Sequence, residues 1–482
     1  MTGSSTSGDA EDVFVLRVLL RARGRFGTGS DDVRGGEGES GGGSRMGPRC
    51  YLRLAKACAI LSGTNMPSVY EMLRAARVAQ RSLARCPAAQ RTAALERVAA
   101  RIDAGRRAIE AANALDLEAS PGLSPALRDR LALGPARLDA VVRAVRAIRD
   151  LDDPLDEERL LGVRPNGLRV SKRRVPLGTV AIIYEARPNV TAEAAALCLR
   201  SGNAVVLRGG KEALRTNMAL AACIRSGLRD AEVDPDAVQL VEDLDRERVR
   251  ELLTATGLVD LAIPRGGPAL MQMVDAWARV PVVRHGAGVC HVYVDASADL
   301  SMAADIALNA KTHRPGVCNA AETLLVHRGV AGALLARLGP ALAAAGVTLR
   351  ADPEAARALA AAGVAAEPAA PADWDTEFLA LVMAVKVVDH LDGALAHIAA
   401  HGTEHTASIV TGDESAAERF LREVDASCVL VNASTRFNDG GELGLGAEMG
   451  ISTSRMHAWG PMGVRELTTE KYVVRGAGQV RQ

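Results

Sequence analysis

The chain has 482 residues, with 58 Lys and Arg against 58 Asp and Glu. That length exceeds what one hydrophobic core fills, about 250 to 300 residues, so two or three domains are expected. The balanced charge gives no field that would gather nucleic acid or an anionic membrane, and no apolar run nears the ~20 residues that span a bilayer. Eight cysteines scattered without a CxxC pair argue against a zinc ribbon or a secreted disulfide framework, and for a soluble protein of the reducing cytoplasm.

Residues 1–65 include Gly35-Gly36-Glu37-Gly38-Glu39-Ser40-Gly41-Gly42-Gly43-Ser44, a composition that buries too little apolar surface to offset chain entropy. A disordered extension is expected there. Val13 to Leu20 follows acidic residues and lacks a basic lead, so it makes a poor signal peptide. Met66 reads as a more natural start, because Ser68 can cap a helix whose apolar face carries Met72, Ala75, Ala76 and Ala79. Helical periodicity continues through Ala93 to Ala112 and Ala126 to Ile148, with a break at Pro121-Gly122. Arg164 to Arg174 then alternates apolar and polar residues around Asn166-Gly167, which predicts an exposed antiparallel arm at 160–177.

From Gly178 the pattern turns to strand and helix in alternation: Thr179 to Tyr184, Thr191 to Arg200, Ala204 to Arg208, Arg215 to Arg225, Val238 to Leu240, Arg246 to Thr254 and Leu258 to Ile263. Such alternation implies a parallel sheet covered on both faces. A second series runs from His291 to Val431, interrupted by a Pro- and Ala-rich loop near Glu367 to Ala372. The expectation is an α/β protein with two parallel-sheet domains. A cofactor-binding domain would span 66–290 and carry the arm, a catalytic domain 291–431, and residues 432–482 would return to the first domain and end in an oligomerisation tail.

The segment richest in chemistry is Lys311-Thr312-His313-Arg314-Pro315-Gly316-Val317-Cys318-Asn319-Ala320. A helical stretch, Asp305 to Lys311, enters a Pro-Gly loop that is expected to deliver Cys318 at the start of a short helix. Backbone N–H groups there would favour thiolate and stabilise the oxyanion formed when it adds to a carbonyl, with Arg314 adding positive charge. A buried, inert cysteine is the other reading of the same pattern. Cys290 is a rival nucleophile, although at the head of an alternating strand it suits packing better.

This segment resembles the nucleophile loop of the aldehyde dehydrogenase superfamily and, more closely, that of the gamma-glutamyl phosphate reductase family of proline biosynthesis. Its pattern Arg-Pro-x-x-Cys-Asn-x-x-Glu-Thr-Leu-Leu-Val matches Arg314 to Val326. Further blocks agree, namely Tyr184 to Val190, Gly286 to Asp295, Asp373 to Asp389 and Asn432 to Met449, so that the resemblance covers about Val69 to Val474. It implies an aldehyde dehydrogenase-like fold with a β oligomerisation arm, and an oxidoreductase with Cys318 and Asn319 in the catalytic loop.

The cofactor reading rests on Gly202 to Glu212. A strand ending near Arg208 leaves Gly209, Gly210 and Lys211 at the carboxyl edge of a sheet, where dinucleotides bind in open α/β folds. The resemblance places a ribose-contacting cation at Arg208. It also places Lys211 where NAD-preferring relatives often carry a glutamate, and a cation there would attract a 2′-phosphate, which implies NADPH. Two solvated surface charges would look the same locally. Glu377 resembles the glutamate that binds the nicotinamide ribose, or is a charged residue before a buried strand. Arg187 and Asn189, in Glu185-Ala186-Arg187-Pro188-Asn189, are implied contacts for nicotinamide, phosphate or substrate. Ala186 stands near where many aldehyde dehydrogenases have an oxyanion-hole Asn. In the turn-rich Thr435 to Gly441, Arg436 and Asn438 suit an amino-acid carboxylate and amine, with Asp439 a second candidate for the amine.

An oxidising aldehyde dehydrogenase hydrolyses its thioester with a glutamate base, but the corresponding turn, Arg284-His285-Gly286-Ala287-Gly288, has none. The expected reaction is therefore NADPH-dependent reduction of L-glutamyl 5-phosphate to L-glutamate 5-semialdehyde through a Cys318 thioester. A hydrolytic semialdehyde dehydrogenase of the same fold and an inactive oligomeric scaffold are the alternatives. No metal-binding motif is present. The arm and the tail Thr468 to Val474 suit strand addition in a homo-oligomer, and a gamma-glutamyl kinase is the natural metabolic neighbour.

Overall fold

The structure is a computed structural model that describes residues 67–284 and 286–481. The expected disordered extension lies outside the described residues. The first helix, Val69–Leu83, starts as its sequence directs: Glu71 N–H donates to Ser68 Oγ at 3.3 Å, while Glu71 Oε2 accepts the Ser68 N–H at 2.8 Å. The next two helical stretches are each divided. Gly105 separates Ala88–Ala104 from Arg106–Glu118, and an added Cβ there would stand 2.6 Å from Cys223 Sγ. Gly134 and Pro135 separate Pro125–Leu131 from Pro135–Asp150, proline being suited to a first helical position and not to an interior one.

The arm is the hairpin β1 (Glu158–Val163) and β2 (Arg169–Pro176), with Gly167 at φ +88 in its turn. Four parallel strands follow: β3 (Thr179–Tyr184), β4 (Ala204–Arg208), β5 (Val238–Leu240) and β6 (Leu261–Arg265), in the order β5-β4-β3-β6. Alternation along these strands splits their side chains between two layers. Val180, Ile182, Val205, Leu207 and Ile263 pack in one core, and Ala181, Ile183, Val206 and Ala262 pack against Leu73 and Ala76 in another.

The second sheet has seven parallel strands: β7 (Cys290–Val294), β8 (Ala321–His327), β9 (Thr348–Ala351), β10 (Glu367–Pro368), β11 (Val382–Val388), β12 (Thr406–Val410) and β13 (Cys428–Val431). Their order is β10-β9-β11-β8-β7-β12-β13. After a two-stranded pair, β14 (Ile451–Ser452) with β15 (Gly460–Pro461), the tail forms β16 (Thr468–Arg475). Its partner is β2 of the same chain, antiparallel from Thr468 opposite Pro176 to Arg475 opposite Arg169. Among the described residues no helix is long and apolar enough to cross a membrane.

Candidate active site

Cys318 lies in the link between helix Leu300–Thr312 and β8. The helix is longer than its apolar pattern suggested because Asp299 caps it, accepting from Ser301 and Met302 N–H at 2.8 and 2.9 Å. No helix begins at Cys318, contrary to expectation. Pro315 and Gly316 turn the chain, Ala320 N–H bonds to Val317 O at 3.1 Å, and β8 starts at Ala321, leaving no length for a helical turn. The thiolate expected from the sequence is not favoured either: burial pushes the Cys318 thiol up to about 11, Glu448 adds to the shift and Arg265 opposes it.

Strand β3 ends at Tyr184 and turns through Glu185, Ala186 and Arg187 into helix Asn189–Arg200. Ala186 has φ +40, a left-handed conformation that a Cβ makes costly, and Glu212 Oε1 holds its N–H at 2.5 Å. This turn delivers Arg187 and Asn189 to a cavity of about 490 Å³ that Cys318 and Asn319 also line. Arg314, Arg436 and Asp439 complete the expected residues found there, while Arg130, Arg265, Glu193 and Glu448 line it without having been anticipated.

Several contacts shape these walls. Arg130 donates to Gly316 O at 2.5 Å, Arg265 to Met449 O, and Arg436 to His313 Nδ1 at 3.3 Å. Asn189 Nδ2 donates to both Glu193 oxygens at 3.2 Å, and Gly440 N–H donates to Glu448 at 2.8 Å. A sixth arginine, Arg137, also lines the cavity and is paired with Asp129. Among the described residues none of the other five is ion-paired to a carboxylate, and Glu193, Asp439 and Glu448 are paired to no cation. Burial, with repulsion from Arg265 and Arg130, brings the Arg187 guanidinium down to about 9. Burial raises Glu193 and Glu448. A pocket that gathers charges of both signs without pairing them, all but the exposed Arg314 half-buried, is prepared for a ligand carrying both.

Other expected residues lie off this cavity. Asn438 stands behind the wall, fully buried, its carbonyl accepting from Asn319 Nδ2 at 2.9 Å and its own Nδ2 donating to Thr406 Oγ1 at 2.8 Å. At the end of β4, the Arg208 guanidinium donates to Gly209 O and Leu244 O at 3.0 and 2.9 Å, and Lys211 is exposed. Glu377 precedes Leu379, a second left-handed residue at φ +51. Cys290 is fully buried, and its thiol donates to the Cys318 carbonyl at 3.1 Å. In the turn where an oxidising relative would carry its base, Gly288 packs on that same carbonyl so closely that a Cβ would collide with it.

Of the cavity residues missed, Glu193 had a readable signal. It is a lone charge in an otherwise apolar stretch of helix, Val190 to Leu199. Arg130 and Arg265 gave none, since a helix-face arginine and a strand-end arginine look like surface charges until the chain is folded. Among the described residues no group of His, Cys, Asp and Glu is placed to hold a metal ion.

Comparison with known proteins agrees with this architecture. Residues 56–358 match the model of the aldehyde dehydrogenase family. A gamma-glutamyl phosphate reductase from Anaeromyxobacter dehalogenans is 54% identical over 413 residues, which is 85% of this chain and 97% of that one. The crystal structure of gamma-glutamyl phosphate reductase from Thermotoga maritima superposes with a TM-score of 0.82 at 42% identity, covering 86% of this chain and 100% of that one. An engineered glycolyl-CoA reductase with bound NADP+ is only 16% identical at a TM-score of 0.63, over 85% of this chain and 97% of its own, and shares the fold alone. The chain therefore belongs to the aldehyde dehydrogenase family and, within it, to the gamma-glutamyl phosphate reductases.

Proposed function

We propose that the chain reduces L-glutamyl 5-phosphate to L-glutamate 5-semialdehyde and phosphate with NADPH, through a thioester on Cys318, as a cytoplasmic step of proline biosynthesis. The observation that carries this reading is the cavity's charge: five of its six arginines without ion pairs and three carboxylates without cations, gathered beside a cysteine. An acyl phosphate bearing an α-carboxylate and an α-ammonium has groups for both sets. A simple aliphatic aldehyde would leave these half-buried charges without partners, at a cost.

In this reading Cys318 Sγ attacks the acyl carbon, a C–S bond forms, and the C–O bond to phosphate breaks with its electron pair on the departing oxygen. The thiol proton leaves with the phosphate. Arg187, Arg265 and Arg314 take the phosphate charge, Arg436 the α-carboxylate, and Glu193, Asp439 and Glu448 the ammonium, assisted by Asn189. The end of β4 fits a dinucleotide. Gly209 is required there because a Cβ would strike the buried Asn217 Nδ2, and Arg208 Nε and Asn217 Nδ2 are buried without partners. Arg208, Gly209 and Lys211 would hold the adenosine end and Glu377 the nicotinamide ribose; when bound, NADPH supplies the hydride that reduces the thioester. The Cys318 thiolate is then the leaving group that releases the aldehyde. A side chain at Gly288 would collide with the Cys318 carbonyl, so this position of the turn cannot carry a hydrolytic base.

The test is the reverse reaction. Glutamate semialdehyde should drive NADP reduction only with phosphate or arsenate present, and Cys318→Ala should abolish turnover while retaining NADPH binding. Phosphate-independent NADP reduction would overturn the reading in favour of a hydrolytic dehydrogenase. We also propose a homo-oligomer built on the arm, supported by the exposed Leu160, Val163, Tyr472 and Val474. A gamma-glutamyl kinase is the proposed source of the labile substrate.

A further inference from the structure

The turn that carries Cys318 has no helix to fix its peptide planes, so neighbouring strands must hold them. A closed ring of contacts does so. The Cys290 thiol, at the first residue of β7, donates to Cys318 O at 3.1 Å, and Gly288 packs on the same oxygen. One residue on, Asn319 Nδ2 donates to Asn438 O at 2.9 Å, and Asn438 Nδ2 donates to Thr406 Oγ1 at 2.8 Å. Thr406 Oγ1 lies 2.7 Å from His405 Nδ1, which in turn lies 3.5 Å from the Cys290 sulfur. Cys290, His405, Asn319 and Asn438 are all nearly or wholly buried, so this ring is screened from water.

The ring fixes a direction. In a trans peptide unit the carbonyl and the following N–H point opposite ways. With Cys318 O drawn onto β7, the N–H of Asn319 is turned away from it, and neither this N–H nor that of Cys318 meets an acceptor among the described residues. Both Cys318 and Asn319 line the cavity. When Cys318 Sγ adds to an acyl carbon, the carbonyl π pair moves onto the acyl oxygen, and that oxyanion needs a donor already in place. Ala186 has no side chain to offer one. We propose that Cys290 is a positioning residue: by anchoring the Cys318 carbonyl it fixes the turn so that its free N–H groups, those of Cys318 and Asn319, face the acyl oxygen. This rests on Cys318 being the acyl acceptor.

Two reactions of the same sulfur separate positioning from mere support. Acetylation by p-nitrophenyl acetate passes through an oxyanion, with p-nitrophenolate leaving. Alkylation by iodoacetamide forms an S–C bond as iodide leaves, and builds no oxyanion. Cys290→Ala should slow the p-nitrophenolate burst about 10- to 100-fold, short of the ~10²- to 10³-fold loss when an oxyanion donor is removed outright. Alkylation of Cys318, followed by mass spectrometry, should stay within about twofold, because it needs no such donor. Cys290→Ser, which keeps a donor, should recover most of the burst. An unchanged burst in Cys290→Ala overturns the proposal, and so does a parallel fall in both rates, which would show only that the turn had come apart. The ester assay needs no glutamyl substrate. An error in the substrate reading would therefore appear in the semialdehyde assay alone, and an error here in the burst.

Discussion

Lys311 Nζ lies 2.5 Å from Glu322 Oε2, and neither side chain reaches solvent. The two residues bracket the Cys318 turn, one closing the helix before it and the other standing in the strand after it. The second Glu322 oxygen accepts the N–H of Leu379 at 3.3 Å, and the Lys311 ammonium sits 6.0 Å from the centre of the Phe378 ring. One buried pair thus joins the nucleophile turn to the Glu377-Phe378 segment. Burial pushes Glu322 up to about 7 in spite of Lys311 beside it, and lowers Lys311. Glu322→Gln would strand a buried ammonium and should cost about 3–5 kcal/mol, read as a lower urea midpoint. Glu322→Gln combined with Lys311→Met should recover much of that loss. An unchanged midpoint in the single variant would contradict the buried pair.

The Cys318 thiol, raised to about 11 by burial, is protonated in the free enzyme at neutral pH. Only thiolate is alkylated, and its fraction grows about tenfold for each pH unit below the pKa. Iodoacetamide labelling of Cys318 should therefore keep accelerating from about pH 7 to about pH 10. A rate that levelled off below about pH 8 would mean that the nearby arginines outweigh burial.

Arg187 is held against repulsion. Burial and the charges of Arg265 and Arg130 all disfavour its guanidinium, and among the described residues no carboxylate pairs with it. Such a group is retained at a cost to the fold, so stability and function should separate on its removal. Arg187→Gln should leave the thermal midpoint equal or higher. It should also raise the KM for phosphate in the reverse reaction about 10- to 100-fold, the worth of a charge-assisted hydrogen bond. A variant that melts early with its KM unchanged would reverse this assignment.

What could be read beforehand followed from periodicity, and what could not followed from convergence. Strands β3, β4 and β5 were legible to the residue because buried parallel strands are short apolar runs between turn signals. The divided helices were not, since Gly105 marks a close approach to Cys223 that only the folded chain makes. Within the site, local motifs single out Cys318, Arg187 and Asp439, which the structure places on the cavity wall. Asn438, which its motif suggests as a contact group, stands buried behind the wall and accepts from Asn319, a placement set by burial and not by residue type. Arg130 and Arg265 come from a helix and a strand far apart in the chain, and nothing near either of them in sequence announces an anion.

Lys211 offers the cleanest test of cofactor choice because it is exposed at the end of β4, where a change of charge leaves the core untouched. If it faces the 2′-phosphate, Lys211→Glu replaces attraction by repulsion. The KM for NADPH should then rise about 10- to 100-fold while that for NADH stays level or falls, since NADH carries no phosphate there. An exposed ion pair is screened by salt, so the gap between wild type and variant should narrow between about 0.05 and 0.5 M ionic strength. Arg208, tied to Gly209 O and Leu244 O, should contribute to both cofactors alike, and Arg208→Ala should weaken NADPH and NADH together. Equal loss of the two cofactors in Lys211→Glu would show that this lysine reads something they share, and preference for NADPH would have to be sought elsewhere on the sheet edge.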